Sequence, residues 1–322
     1  MDRTRLYRDG VLVKENFPID DISECVGDPG AVVWFDLCEP AGGDLAKISE
    51  ELGLHELAVE DALHDRQRPK VDAYDGHLFI TVYAAGLVDG EIDFVELSLF
   101  VTRNALVTVR SSADFDIDAV LRRWDADPEM ARYGVAYLLH GLLDHIVDGY
   151  FEVLQPLDDR VEALEDELFD GGVTDLRGRH RETFTLRKNL LRFRRMALPV
   201  REVVGGLIRR GAEVIDPALM PYYQDVYDHT LRASEWTDSL RELVGNIREA
   251  YQNQQGFKLN EIMKKVTSWA AIIAVPTLIT GFYGQNVPYP GSGEPIGFWS
   301  STILIIVGGV LLYRAFKKRD WL

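Results

Sequence analysis

The stretch TGFYGQNVPYP, residues 280–290, decides how the rest of the chain is read. It divides two segments without a charged residue, 266–283 and 295–313. Each is about long enough to cross a hydrocarbon core of about 30 Å as a helix. The connector, 284–294, carries one charge, Glu294. Two membrane crossings are therefore expected, with Tyr283, Gly284, Gln285 and Asn286 where the first one ends. Lys258, Lys264 and Lys265 precede the first segment, and Arg314, Lys317, Lys318 and Arg319 follow the second. Positive residues stay on the cytoplasmic side, so both termini are expected in the cytoplasm and the connector outside. The terminal KKRDWL reads as an anchor of the same kind.

Composition bounds the remainder. At 322 residues there is room for a sizeable soluble domain beside the membrane part. The net charge of −17 argues against a nucleic-acid partner and is compatible with divalent cations or with a solvated acidic surface. The start, MDRTRLYRDG, has no apolar signal core, so export of the soluble part is not expected. Cys25 and Cys38 form no metal-ligand pattern and read as free thiols in a reducing cytosol. The seven histidines are scattered, and no nucleotide-binding motif or hydrolytic constellation accompanies them, so no enzymatic activity is expected.

Taken in order, the chain predicts an α+β membrane protein. Residues 1–130 read as a cytosolic α/β domain: AVVWFDL (31–37) is a strand, 44–52 and 55–64 are helices, and 77–87 and 93–102 are strands. In the last of these Val95, Leu97, Leu99 and Val101 alternate with Phe94, Glu96, Ser98 and Phe100, a strand period with one wholly apolar face. Arg103-Asn104 predicts a tight turn into ALVTVR. A helical hairpin region follows over 131–220. Its first helix contains Pro156 and ends at Gly171-Gly172; the second has Thr174 as N-cap and runs toward Pro199. The acidic tip (Asp158, Asp159, Glu162, Glu165, Asp166, Glu167, Asp170) reads as a solvated face. From Pro221 one helix is predicted without a break to Tyr283, on the order of 90 Å long at 1.5 Å per residue. Its part over 221–265 is a stalk. The transmembrane domain is 266–322: the first span at 266–283, an external loop at 284–294, the second span at 295–313 and a basic cytosolic tail.

Along that helix Asn260, Thr267, Ala274, Thr277, Gly281 and Gly284 share one face, spaced by seven and then by three or four. Within the membrane this face has nothing large and nothing charged. It can line a narrow polar passage between several copies, or it can be a surface for tight packing through small residues. Asn260 and Asn286 place amides at both of its ends, which favours the passage. One chain with two crossings cannot enclose a pore, so a conducting form must be a symmetric ring of copies. Amide and carbonyl oxygens without carboxylates suit hydrated Mg2+, an ion that releases its water reluctantly.

The chain closely resembles the CorA family of magnesium transporters. The resemblance lies in HELAVEDALHDRQRPKVDAY (55–74), YLLHGLLDHIVDGYF (137–151), KNLLRFRRMALPVREVV (188–204), YYQDVYDH (222–229), NEIMKKVT (260–267), GFYGQN (281–286) and KKRDWL (317–322). The family signature Tyr-Gly-Met-Asn reads here as Tyr283, Gly284, Gln285, Asn286. The resemblance implies that Asn286 supplies the ring meeting the hydrated ion and that Gly284 supplies backbone carbonyls and a turn. It further implies a homopentamer in the cytoplasmic membrane, in contact with lipid, that carries Mg2+, with Co2+ or Ni2+ as further divalent cargo. Intracellular Mg2+ bound between subunits would close the pore, with Asp225 as the stalk carboxylate of that regulatory site and Asp89 as its partner near residues 86–89. Two other readings remain open: a Zn2+ transporter of the related ZntB type, and a membrane-tethered cation sensor that does not conduct. The family's acidic external loop is reduced here to Glu294.

Gln285 stands where the family has Met. A thioether is a poor partner for Mg2+ or its waters, whereas an amide offers a carbonyl oxygen and two N–H donors. If the side chain only supports the turn, Gln285→Met leaves the ratio of Mg2+ to Co2+ uptake unchanged; a shifted ratio assigns a selective role to the amide.

Overall fold

The computed structural model describes residues 3–28, 30–40, 43–64, 67–169, 176–210, 215–285 and 287–322. Contacts divide the chain into two compact units, Met1–Ile247 and Arg248–Leu322.

The first unit is built on a seven-stranded sheet. Its strands are β1 (Arg3–Arg8), β2 (Val11–Glu15), β3 (Ala31–Cys38), β4 (Lys70–Tyr74), β5 (His77–Val88), β6 (Glu91–Val101) and β7 (Ala105–Arg110), in the order β2-β1-β3-β7-β6-β5-β4. Among the described residues only β3 and β7 pair in parallel, the other pairings being antiparallel. In β3 the residues Ala31, Val33, Phe35 and Leu37 pack with Ile22 of α1 (Ile22–Val26), Leu45 and Ile48 of α2 (Gly43–Leu52) and Ala58 of α3 (Glu56–Leu63). Trp34 faces the other way, edge-on to Trp124 of α4 (Ile117–Ala126) with ring centroids 5.2 Å apart. Both faces of the sheet are therefore covered. This is why Glu96 and Ser98, on the polar side of β6, are buried rather than solvated. Glu96 accepts from the Tyr83 hydroxyl at 2.7 Å.

At the end of the parallel pair Asp36 is wholly buried. It accepts from Thr108 Oγ1 at 2.7 Å and from Arg110 Nε and Nη2 at 2.9 and 2.7 Å. A buried carboxylate and guanidinium joined this way satisfy each other, and removing one partner from such a pair typically costs about 3–5 kcal/mol. The expected turn after β6 is present, Val101 pairing with Leu106 across 102–104. The β5–β6 hairpin closes on Asp89-Gly90, both at positive φ (50° and 79°), the two-residue connection that a type I′ turn requires.

The helices follow in series: α5 (Pro128–Ala131), α6 (Val135–Phe169), α7 (Leu176–Met196), α8 (Val200–Arg210) and α9 (Met220–Tyr283). Gly141 lets α6 cross α4 closely, because a Cβ there would lie 2.6 Å from the Trp124 indole nitrogen. Tyr150 of α6 donates to the Tyr83 carbonyl at 2.7 Å, and Tyr223 of α9 donates to the Ala136 carbonyl at 2.8 Å. α6 is continuous through Pro156. The second hairpin helix does not run on past Pro199: α7 stops at Met196, a turn closes through Ala197 N–H to the Phe193 carbonyl at 2.8 Å, and α8 starts after the proline. Asp170, Gly171, Gly172 and Thr174 lie outside the described residues.

In the second unit α9 continues to Tyr283, with Pro276 inside it, and α10 spans Pro295–Lys318. Both helices are long and apolar enough to cross a membrane, and only 11% and 6% of their most apolar windows are buried by the protomer itself. The architecture is thus the α+β one expected: an N-terminal α/β sheet domain, one long helix, and two C-terminal apolar helices.

Candidate functional site

Two places gather chemistry, one in each unit. In the second, α10 approaches α9 at Gly308, where a Cβ would touch Val275 Cγ1 at 3.2 Å; Ser268 of α9 is fully buried and Ile279 nearly so. Asn260, Thr267, Ala274, Thr277, Gly281 and Gly284 are all exposed. At about 100° per residue Ala274, Thr277, Gly281 and Gly284 lie on the side of α9 away from residues 268, 275 and 279, and Asn260 and Thr267 lie to one flank. The small and hydroxyl face is therefore not used to pack against α10. Thr277 Oγ1 donates to the Ile273 carbonyl at 2.9 Å and Thr280 Oγ1 to the Thr277 carbonyl at 3.1 Å. With their protons committed to the helix, these hydroxyls offer oxygen lone pairs outward, the end that a hydrated cation can use.

Past Tyr283 the helix closes through Gly284 N–H to the Thr280 carbonyl at 2.9 Å. A Cβ at Gly284 would lie 2.9 Å from that same oxygen, so a larger residue would force it aside. Gln285 N–H donates to the Phe282 carbonyl at 3.3 Å, and Val287 N–H to the Gln285 carbonyl at 2.7 Å. The Gln285 side chain is exposed, so it is not packed within its own chain. Asn286 lies outside the described residues. Beyond it Tyr289 meets Tyr283 edge-on at 5.0 Å, and the loop folds back where Gly291, at φ 89°, approaches Gly297. Glu294 precedes α10 without a side-chain capping bond and is exposed.

In the first unit Asp144 of α6 meets Asp225 and His229 of α9, their ligand atoms all within 4.8 Å of one another. Asp225 and His229 are one helical turn apart and so share a face; Asp225 Oδ2 lies 3.9 Å from His229 Nε2. The Tyr223 hydrogen bond to α6 fixes this part of α9. The His229 ring stands edge-on to Phe151 at 6.0 Å, and Trp236 Nε1 donates to Asp158 at 3.1 Å about two turns further along. Burial, together with the neighbouring Asp148, pushes the Asp144 carboxyl above the usual carboxylate range, while Arg123 pulls it back. Its charged form would gain from a cation. Separations up to 4.8 Å exceed the edge of roughly 3 Å expected for an octahedron with bonds of about 2.0–2.1 Å. The group therefore fits an ion that keeps part of its water, bridged to both carboxylates. The imidazole adds a nitrogen ligand, which suits Co2+, Ni2+ or Zn2+ better than Mg2+.

Of the sequence-predicted site residues, the structure gathers Asp225 into this group but not Asp89. Asp89 is exposed in the β5–β6 turn, whose Gly90 carbonyl accepts from Asn189 Nδ2 of α7 at 2.9 Å. Asp144 and His229 were not singled out. Asp225-x-x-x-His229 is a legible helical ligand pair, but nothing local to Asp144 marks it among many acidic residues.

The family described as CorA-like Mg2+ transporter protein matches residues 29–318. The cobalt/magnesium transport protein CorA of Thermotoga maritima is 32% identical over 284 residues, covering 86% of this chain and 79% of that protein. The solved CorA magnesium transporter of Methanocaldococcus jannaschii is 26% identical, with a TM-score of 0.77 and coverage of 90% of this chain and 92% of that one. The zinc transport protein ZntB of Yersinia pseudotuberculosis is 22% identical over 272 residues, 84% of this chain and 81% of that protein.

The imidazole makes a testable difference at the three-residue group. His229→Ala is expected to weaken Co2+ binding to the purified protein about tenfold or more, and Mg2+ binding much less, because only the softer ion gains from nitrogen. Equal losses for the two ions in equilibrium dialysis would remove His229 from the ligand set.

Proposed function

We propose that this chain, which belongs to the family of CorA-like Mg2+ transporters, assembles as a homopentamer and carries Mg2+ through the cytoplasmic membrane. Both termini are cytoplasmic in this reading. The observation that carries it is the outward small and hydroxyl face of α9. It is polar, it lies in a helix apolar enough to span a membrane, and it is turned away from α10. Facing lipid it would be wasted; facing the same face of other copies it lines a path of oxygen atoms.

Each position then has a role. Asn286 receives the hydrated ion at the outer end, supported by the turn at Gly284 and Gln285 and by Tyr283. Gly281, Thr277, Ala274 and Thr267 line the path, and Asn260 ends it. Transport follows the electrochemical gradient, since no energy-coupling site is needed. In the first unit Mg2+ acts a second time: bound by Asp225 and Asp144, with His229 beside them, it holds the closed state. Asp89 reaches that ion, in this reading, from a neighbouring copy. The imidazole favours one second reading, in which Co2+, Ni2+ or Zn2+ is the better cargo or regulator.

Flux into liposomes with Mg2+, Co2+, Ni2+ and Zn2+ orders the ions, and no flux of any of them would leave a non-conducting sensor. Asn286→Ala is expected to abolish Mg2+ uptake while the oligomer survives. Ordinary uptake by a correctly assembled Asn286→Ala protein would reduce the residue to a turn former.

A further inference from the structure

The carboxylate that completes the cation group in the first unit is already shared. Arg123 of α4 places Nη1 2.5 Å from Asp144 Oδ2 and Nη2 2.9 Å from Asp148 Oδ2. The guanidinium is thus split between two carboxylates one helical turn apart instead of closing on one of them. Its backbone is fixed: Trp124, the next residue, is buried against Trp34 and Gly141, and the Tyr137 hydroxyl donates to the Arg123 carbonyl at 3.4 Å. Its side chain is held by these two carboxylates and is 40% exposed to solvent. Asp144 therefore faces a permanent cation on one side and the Asp225–His229 pair on the other.

We propose that Arg123 is a built-in competitor of the regulatory divalent cation, an internal positive charge that weakens ion binding at Asp144, Asp225 and His229 so that the site empties when the ion is scarce. The inference rests on the regulatory reading of that group. Two carboxylates and an imidazole near a third carboxylate, Asp148, form a strongly attractive set for a doubly charged ion. A sensor must also release its ion. Arg123 offsets one negative charge at close range, and because its side chain is long and half-exposed, it can lean toward Asp148 when the ion arrives and back to Asp144 when it leaves. The same element carries the buried Trp124 contact, so ion occupancy and the seating of α4 on α6 are linked through one residue.

The sign of the effect separates this role from a structural one. A mere strut, when removed, loosens the site and weakens the ion. A competitor, when removed, strengthens it. The test is the Mg2+ concentration that half-protects the full-length protein in liposomes from chymotrypsin. Arg123→Gln is expected to lower this midpoint about three- to tenfold, the size of one unit charge acting on a divalent ion at a few ångströms in partly screened surroundings. Arg123→Lys keeps the charge and is expected to stay near the parent. An unchanged or raised midpoint in Arg123→Gln overturns the proposal. Should Arg123→Gln fail to fold, Arg123→Met removes the same charge and reads the same sign: a lowered midpoint supports the competitor role, and an unchanged or raised one overturns it. Asp225→Asn in the same assay keeps the two readings apart. If it does not raise the midpoint, the regulatory site itself fails; if it does while Arg123→Gln does not lower it, only the competitor role fails.

Discussion

A polar face on a membrane-spanning helix must be kept from hydrocarbon, and among the described residues nothing in a single copy covers the one on α9. α10 approaches from the other side of α9, at Gly308 against Val275, and Ser268 and Ile279 on that side are buried. The Thr277 and Thr280 hydroxyls have already given their protons to helix carbonyls, so what they leave outward is acceptor oxygen. Water and a hydrated cation satisfy acceptors; lipid does not. In the proposed ring, assembly around an axis and conduction along it both answer that single constraint.

The sheet unit answers a different electrostatic need. Its buried ion pair, Asp36 with Arg110, is closed on itself and hydrogen-bonded at every oxygen that the surroundings reach, as a structural pair should be. The group around Asp144 is the opposite case. It is partly exposed, its charges are spread over α4, α6 and α9, and its carboxyl is pushed up by burial beside another acid. The proposed exchange of a bound cation for an internal one needs an open group of this kind, which a sealed pair is not. One helix, α9, carries both Asp225 of that group and the outward face of small and hydroxyl residues.

Much of this was legible in the residues. Two uncharged segments around a short connector, a helix without proline from 222 to 275, and alternation in β6 give the long helix, the apolar pair and the sheet, because each is a strong period over many residues. β1, β2 and β4 were not legible: β2 and β4 are short edge strands with little burial, and β1, though buried over Thr4–Tyr7, is mostly polar in sequence. The end of α7 at Met196 was overrun, since the apolar spacing continues across Pro199 into α8 and only the turn at Ala197 separates them. Asp225 could be placed by resemblance. Asp144 could not be placed by pattern, because a long-range meeting of α6 with α9 leaves no mark on either segment alone.

The account stands or falls on copies sharing the α9 face. Native mass measurement of the purified protein in mild detergent reads this directly. The account predicts a particle of five protomers as the stable species. A stable monomer or dimer, with its polar face left to detergent or lipid, would contradict it.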